Sequence, residues 1–135
     1  VAFDPVARLQ EFHEAMGEIP YINRNVLERK QFLALRRKLV TEEFYEWLDE
    51  VDIATVTPGK IENFAKEMAD MLVVIIGTAQ LMDLPIERVF NEVMDSNMSK
   101  LGLDGKPLRR EDGKILKGPH YRPVDLSWLG ERSFS

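Results

Sequence analysis

Residues 39–50 read Leu39-Val40-Thr41-Glu42-Glu43-Phe44-Tyr45-Glu46-Trp47-Leu48-Asp49-Glu50, and residues 67–77 read Glu67-Met68-Ala69-Asp70-Met71-Leu72-Val73-Val74-Ile75-Ile76-Gly77. In both stretches acids stand on or beside an apolar helical face. Phe32, Leu35 and Leu39 recur at helical spacing and lead into Glu43 and Glu46. Side chains three or four apart share a helix face. Glu43, Glu46 and Glu50 therefore stack, with Glu42 beside them, and Glu67 lies over Asp70. Taken alone, the run 42–50 reads as a solvated face, because Glu is a good helix former. The second acidic pair, on a strongly apolar helix, turns the reading toward a site. Like charges crowded on a half-buried face repel, and burying them unpaired is costly. A hard cation with oxygen ligands removes that cost, and Mg²⁺ is typically held by a few carboxylates plus substrate phosphates.

Outward from these stretches, start and stop signals predict four helices. Asp4-Pro5 opens the first, Val6, Leu9, Phe12 and Met16 give its period, and Gly17 stops it. Asn25 with Glu28 forms a capping box for the second, which runs to about Val51 or slightly beyond. Thr57-Pro58 caps the third, running to about Met82. Asp83, with Pro85 in the first turn, starts the fourth, running to about Asn97. After Lys100, glycines, prolines and two Asp-Gly pairs mark loop and turn, with room for a short hairpin. The expected architecture is all-α: an antiparallel bundle of about four helices, helical over about 4–100, with a loop-rich basic tail over 101–135. The length of 135 residues suits one domain.

Composition narrows the chemistry. The formal net charge of −5 disfavours a general nucleic-acid binder, which usually carries a basic face. A nucleotide substrate remains compatible, since a bound metal supplies positive charge. With no cysteine, disulfides, zinc-thiolate sites and Cys nucleophiles are excluded. Neither His13 nor His120 completes the Glu-x-x-His motif of di-iron bundles. No glycine-rich phosphate loop precedes a helix, which disfavours a P-loop enzyme. The apolar run 71–77 is too short to span a bilayer and reads as helix buried in a core or subunit interface. Residues 1–5 do not read as a leader, so the expected setting is the cytoplasm.

The pattern Glu42-Glu43-x-x-Glu46 … Glu67-x-x-Asp70 resembles the signature of the all-α, MazG-like nucleoside triphosphate pyrophosphohydrolases. These include MazG, dimeric dUTPases, dCTP pyrophosphatase and phosphoribosyl-ATP pyrophosphohydrolase. The opening residues 9–17, the segment 89–101 and the tail with Asp104-Gly105-Lys106-Pro107 and Gly118-Pro119-His120-Tyr121-Arg122-Pro123 resemble a phosphoribosyl-ATP pyrophosphohydrolase-like branch. The resemblance implies hydrolysis of a nucleotide such as dUTP or dCTP to monophosphate and pyrophosphate, by a homodimer or dimer of dimers using Mg²⁺ or Mn²⁺. It places the metal ligands on Glu43, Glu46, Glu67 and Asp70. Glu42 then becomes a ligand or the base for the attacking water, and the catalytic set is Glu42, Glu43 and Glu46. True phosphoribosyl-ATP hydrolysis, house-cleaning of damaged nucleotides, and a non-catalytic metal-binding helical protein are the alternatives.

Residues 97–122 carry seven Lys or Arg and three acids, a net of +4. Phosphate recognition needs such cations, although a solvated tail or subunit-contact arm has the same composition. Asn97, Lys100, Lys117 and Tyr121 are the candidate substrate contacts, Tyr121 by stacking on a base. Core packing is the stronger reading of Phe12 and Trp47, and a hydrogen-bonding structural role that of His13. Arg36-Arg37-Lys38 reads as a solvated turn.

Overall fold

A computed structural model of the chain describes residues 2–56 and 61–130. Among these described residues there are four α-helices: α1 (Pro5–Ala15), α2 (Val26–Val56), α3 (Ile61–Leu81) and α4 (Ile86–Met98). Among the described residues there is no strand, only an isolated antiparallel bridge between Arg109 and Ile115. The all-α class with an irregular tail is thus borne out. The chain divides into two compact units, one up to Leu84 and one from Pro85.

In the first unit, α1 begins where the sequence signals it. Asp4 Oδ1 accepts from Ala7 N at 3.2 Å, and Pro5 takes the first helical position, where no N–H is needed. The capping box of α2 forms reciprocally: Glu28 N donates to Asn25 Oδ1 at 2.9 Å, and Asn25 N donates to Glu28 Oε1 at 3.4 Å. α2 extends to Val56, and the expected Thr57-Pro58 cap lies outside the described residues. α2 and α3 run antiparallel. Phe32, near the start of α2, clusters with Leu81 at the end of α3 and with Tyr21. Trp47, farther along α2, meets Phe64 near the start of α3 with ring centroids 5.9 Å apart. Burial of Phe32 and Leu81 contributes roughly 1.5–3 kcal/mol each.

α1 docks on α3 through a polar contact. His13 is buried, and its Nδ1 and Gln80 Oε1 form a hydrogen bond of 2.6 Å. The close approach depends on Gly77: a Cβ there would lie 3.1 Å from His13 Cε1. His13 therefore has the structural role expected of it.

Arg36 corrects one expectation. Arg37 and Lys38 are exposed, but Arg36 is only 7% exposed. It stands one turn after Phe32 on the inward face, its guanidinium 5.4 Å from the Phe32 ring centroid, with Arg24 4.9 Å from the same ring. A flat, weakly hydrated guanidinium can cover an aromatic ring in a way that a solvated turn does not require.

The fourth helix also starts later than expected. Asp83 has φ 54 and sits in the turn after α3, while Pro85 occupies the cap position of α4. A left-handed residue cannot open a right-handed helix, whereas Pro85 has its φ already set.

In the second unit the tail folds on itself and onto the end of α4. Leu116 N donates to Leu108 O at 2.7 Å and Arg110 N to Lys114 O at 2.8 Å, the short hairpin for which the sequence left room. Each Asp-Gly-Lys makes the same turn, Asp104 Oδ1 accepting from Lys106 N and Asp112 Oδ1 from Lys114 N. Ser96 Oγ donates to Arg122 O at 2.7 Å, Arg122 N to Ser99 Oγ at 2.9 Å, and Gly118 N to Lys100 O at 2.8 Å. The Arg88 guanidinium covers the Trp128 ring at 3.7 Å. No single helix among the described residues is long and apolar enough to cross a membrane.

Candidate active site

Antiparallel packing of α2 on α3 brings the two acidic motifs to the same level. One carboxylate oxygen from each of Glu43, Glu46, Glu67 and Asp70 can be chosen so that all four lie within 4.8 Å of one another. Glu43, Glu67 and Asp70 are half-buried and Glu46 is exposed. The group therefore opens to solvent on one side and is backed by the helix pair on the other.

The electrostatics are those of crowded acids. Partial burial pushes the Glu67 carboxyl above its usual range, helped by a hydrogen bond with Glu46 and by the charges of Glu46 and Asp70, with Lys66 opposing. Two buried oxygens, Glu43 Oε2 and Glu67 Oε2, have no hydrogen-bond partner. Buried carboxylate oxygens normally find donors, so this pair has acceptor capacity that a cation could use. The all-oxygen donor set suits a hard divalent ion such as Mg²⁺. The residues present therefore fit the metal that the sequence resemblance implies.

Lys66 was not identified from the sequence. Its Nζ lies 2.7 Å from Asp70 Oδ2 and 3.5 Å from Glu67 Oε1. The hydrogen bond to Asp70, then the charges of Asp70 and Glu67, hold its ammonium group above the usual lysine range. Its spacing, four residues before Asp70 on one helix, was a legible signal. Arg36 follows Phe32 at the same spacing, but spacing alone does not say that the face is buried by Tyr21 and Leu81.

Glu42 lies outside the four-carboxylate group. Its side chain is about half exposed, and Lys38 Nζ is 4.0 Å from its Oε1. Glu50 is also outside the group. Trp47 packs beside Phe44 and Phe64, with a buried Nε1 that has no hydrogen-bond partner, in line with a packing role. Phe12 is about half exposed, so core packing does not describe it.

The other candidates stand in the second unit. Lys117 Nζ sits 4.8 Å from the Tyr121 ring centroid. Tyr121 lines an open cleft with Ser99, His120 and Arg122. Lys100 is tied to this segment through its backbone, its carbonyl accepting from Gly118 N. Asn97 is exposed in the last turn of α4, and its carbonyl accepts from Lys100 N at 3.1 Å.

The family model described as phosphoribosyl-ATP pyrophosphohydrolase matches residues 9–97, which include both acidic motifs. No curated protein matches the chain at a significant level. The match covers well over half of the sequence, and the chain belongs to this family of MazG-like, all-α pyrophosphohydrolases. It is accordingly a hydrolase of phosphoric anhydride bonds, with a nucleotide as substrate.

Proposed function

We propose that this member of the phosphoribosyl-ATP pyrophosphohydrolase family is a Mg²⁺-dependent enzyme that splits a nucleoside triphosphate, such as dUTP or dCTP, into monophosphate and pyrophosphate. The observation that carries the reading is the convergence of Glu43, Glu46, Glu67 and Asp70 within 4.8 Å. In this reading these four residues would hold the metal, Mg²⁺ or Mn²⁺. When bound there, the cation would supply positive charge to the phosphates and to the leaving pyrophosphate.

The chain's own groups do the rest. Glu42, about half exposed, outside the four-residue group and paired only at 4.0 Å with Lys38, takes the proton of the attacking water in this reading. Glu43 and Glu46 belong to the proposed catalytic set as well as to the metal ligands. In the second unit, Lys100 and Lys117 are proposed as phosphate contacts, Asn97 as a contact to phosphate or sugar, and Tyr121 as the face on which a base stacks. A second reading, with phosphoribosyl-ATP as substrate, is favoured by the description of the matching family model. The proposed setting is the cytoplasm, and the proposed assembly is a homodimer or a dimer of dimers, supported by uncovered apolar side chains on α3 such as Leu72 and Ile75.

The test is pyrophosphate release from dUTP, dCTP, the other nucleoside triphosphates and phosphoribosyl-ATP with Mg²⁺. Glu43→Gln and Asp70→Asn are expected to lower turnover by on the order of a hundredfold or more. If folded wild-type protein with metal releases no pyrophosphate from any of them, the enzymatic reading fails and a metal-binding helical protein takes its place.

A further inference from the structure

The geometry points to Lys66 as a displaceable counterion of the acidic group, which gives up Asp70 when a divalent cation enters and then binds the phosphates that arrive with it. The inference rests on the reading of Glu43, Glu46, Glu67 and Asp70 as metal ligands.

Three observations support it. The Lys66 ammonium lies against two of the four acids, at 2.7 Å from Asp70 and 3.5 Å from Glu67. It thus occupies coordination space on oxygens that an incoming cation needs. Second, among the described residues no other Lys or Arg forms an ion pair with any of the four acids, while Lys38 pairs with Glu42 outside the group. The positive charge paired with the group is therefore concentrated on one side chain. Third, the Lys66 side chain is 64% exposed whereas that of Glu67 is 14% exposed. The acids are held by the helix pair, but the ammonium is on a flexible stem at the open side and can leave without disturbing the packing.

The charge logic follows. An ammonium and a divalent cation in the same group repel, so metal entry works against the Lys66–Asp70 pair. A polyphosphate brings several negative charges to the same opening. Lys66, one residue from Glu67 and free of Asp70, then has its strongest available partner in a phosphate oxygen. The side chain therefore weakens binding of the bare metal and strengthens binding of metal together with phosphate. That opposition of signs distinguishes it from a surface lysine, which would affect neither, and from a fixed structural ion pair, whose loss would weaken both.

The experiment is calorimetric titration of the full chain, first with Mn²⁺ alone, then with inorganic pyrophosphate added to the Mn²⁺-saturated protein. Wild type is compared with Lys66→Met, Lys66→Arg and Glu43→Gln. Met keeps the length and helix propensity of Lys, so the fold is retained. Lys66→Met is expected to bind Mn²⁺ about five-fold more tightly and pyrophosphate about five-fold more weakly, in keeping with a single exposed pair. Lys66→Arg is expected to stay near wild type in both. Unchanged or weaker Mn²⁺ binding by Lys66→Met overturns the inference, as does undiminished pyrophosphate binding. If wild type and Glu43→Gln bind Mn²⁺ equally poorly, the metal-site reading itself has failed. If those two differ while Lys66→Met matches wild type, only the role given to Lys66 is wrong.

Discussion

Glu67 shows at the scale of one residue how a site of this kind is held against its own repulsion. Its carboxyl is pushed above the usual glutamate range by partial burial, the shared hydrogen bond with Glu46 and neighbouring negative charge. The folded chain therefore holds that proton more tightly than the unfolded chain does. This contribution to stability is full at low pH and is lost as pH rises from the ordinary glutamate value through the raised one. Glu67→Gln keeps a hydrogen-bond donor toward Glu46 and cannot ionise. Without metal it is expected to melt higher than wild type above that pH window, with the gap closing below it, while turnover falls on the order of a hundredfold. Thermal melts of both proteins across pH, in chelator, would show this. A wild type that is the more stable of the two at neutral pH would contradict the account of Glu67.

At the scale of elements, the helices are set by local signals and their docking by small residues. The caps at Asp4 and Asn25 are written within four residues of chain and form as written. Docking of the tail on the end of α4 turns on Gly118. A Cβ there would collide with Leu101 O and lie 2.7 Å from Lys100 O, both backbone atoms that cannot turn aside as a side chain would. Gly118→Ala is thus expected to break the Gly118–Lys100 hydrogen bond and release the segment carrying Lys117 and Tyr121. Amide exchange should report this as lost protection over 117–122 with α1 to α3 unchanged. A raised KM for nucleotide of roughly ten-fold is expected if those residues bind substrate. Preserved protection across 117–122 would show that the backbone accommodates the methyl group.

For the molecule as a whole, the decisive feature is the apolar surface left on α3. Met68, Leu72, Val73 and Ile75 are each 43–48% exposed, on a helix whose sequence is as apolar as a buried one. A second copy covering this face would satisfy the pattern, and a closed two-fold pairing is the commonest way for a chain to do so. Sedimentation at micromolar concentration is expected to give a dimer or tetramer, and Leu72→Glu with Ile75→Glu to give monomer with helical content kept. A wild type that is monomeric and active across the range would remove the homodimer from the proposal.

Much of this protein was legible in the sequence because the deciding interactions are local. The starts of α1 and α2, the all-α class and the two acidic pairs each depend on residues within a turn or two, where spacing alone fixes which side chains share a face. The hairpin of the tail followed from Asp-Gly turns in the same way. What spacing cannot give is the level at which one helix meets another. That Glu43 and Glu46 face Glu67 and Asp70 was decided by the packing of Phe32 on Leu81 and Trp47 on Phe64, contacts between residues far apart in the chain. The burial of Arg36 came from the same packing: its neighbour Phe32 is local, but Tyr21 and Leu81, which bury that face, are distant in the chain. The left-handed turn at Asp83 displaced the start of α4, since the return of the chain after α3 outweighed the local preference of Asp for a helix cap. Sequence fixed the chemistry of each face, and tertiary packing, which acts between distant segments, chose which faces meet.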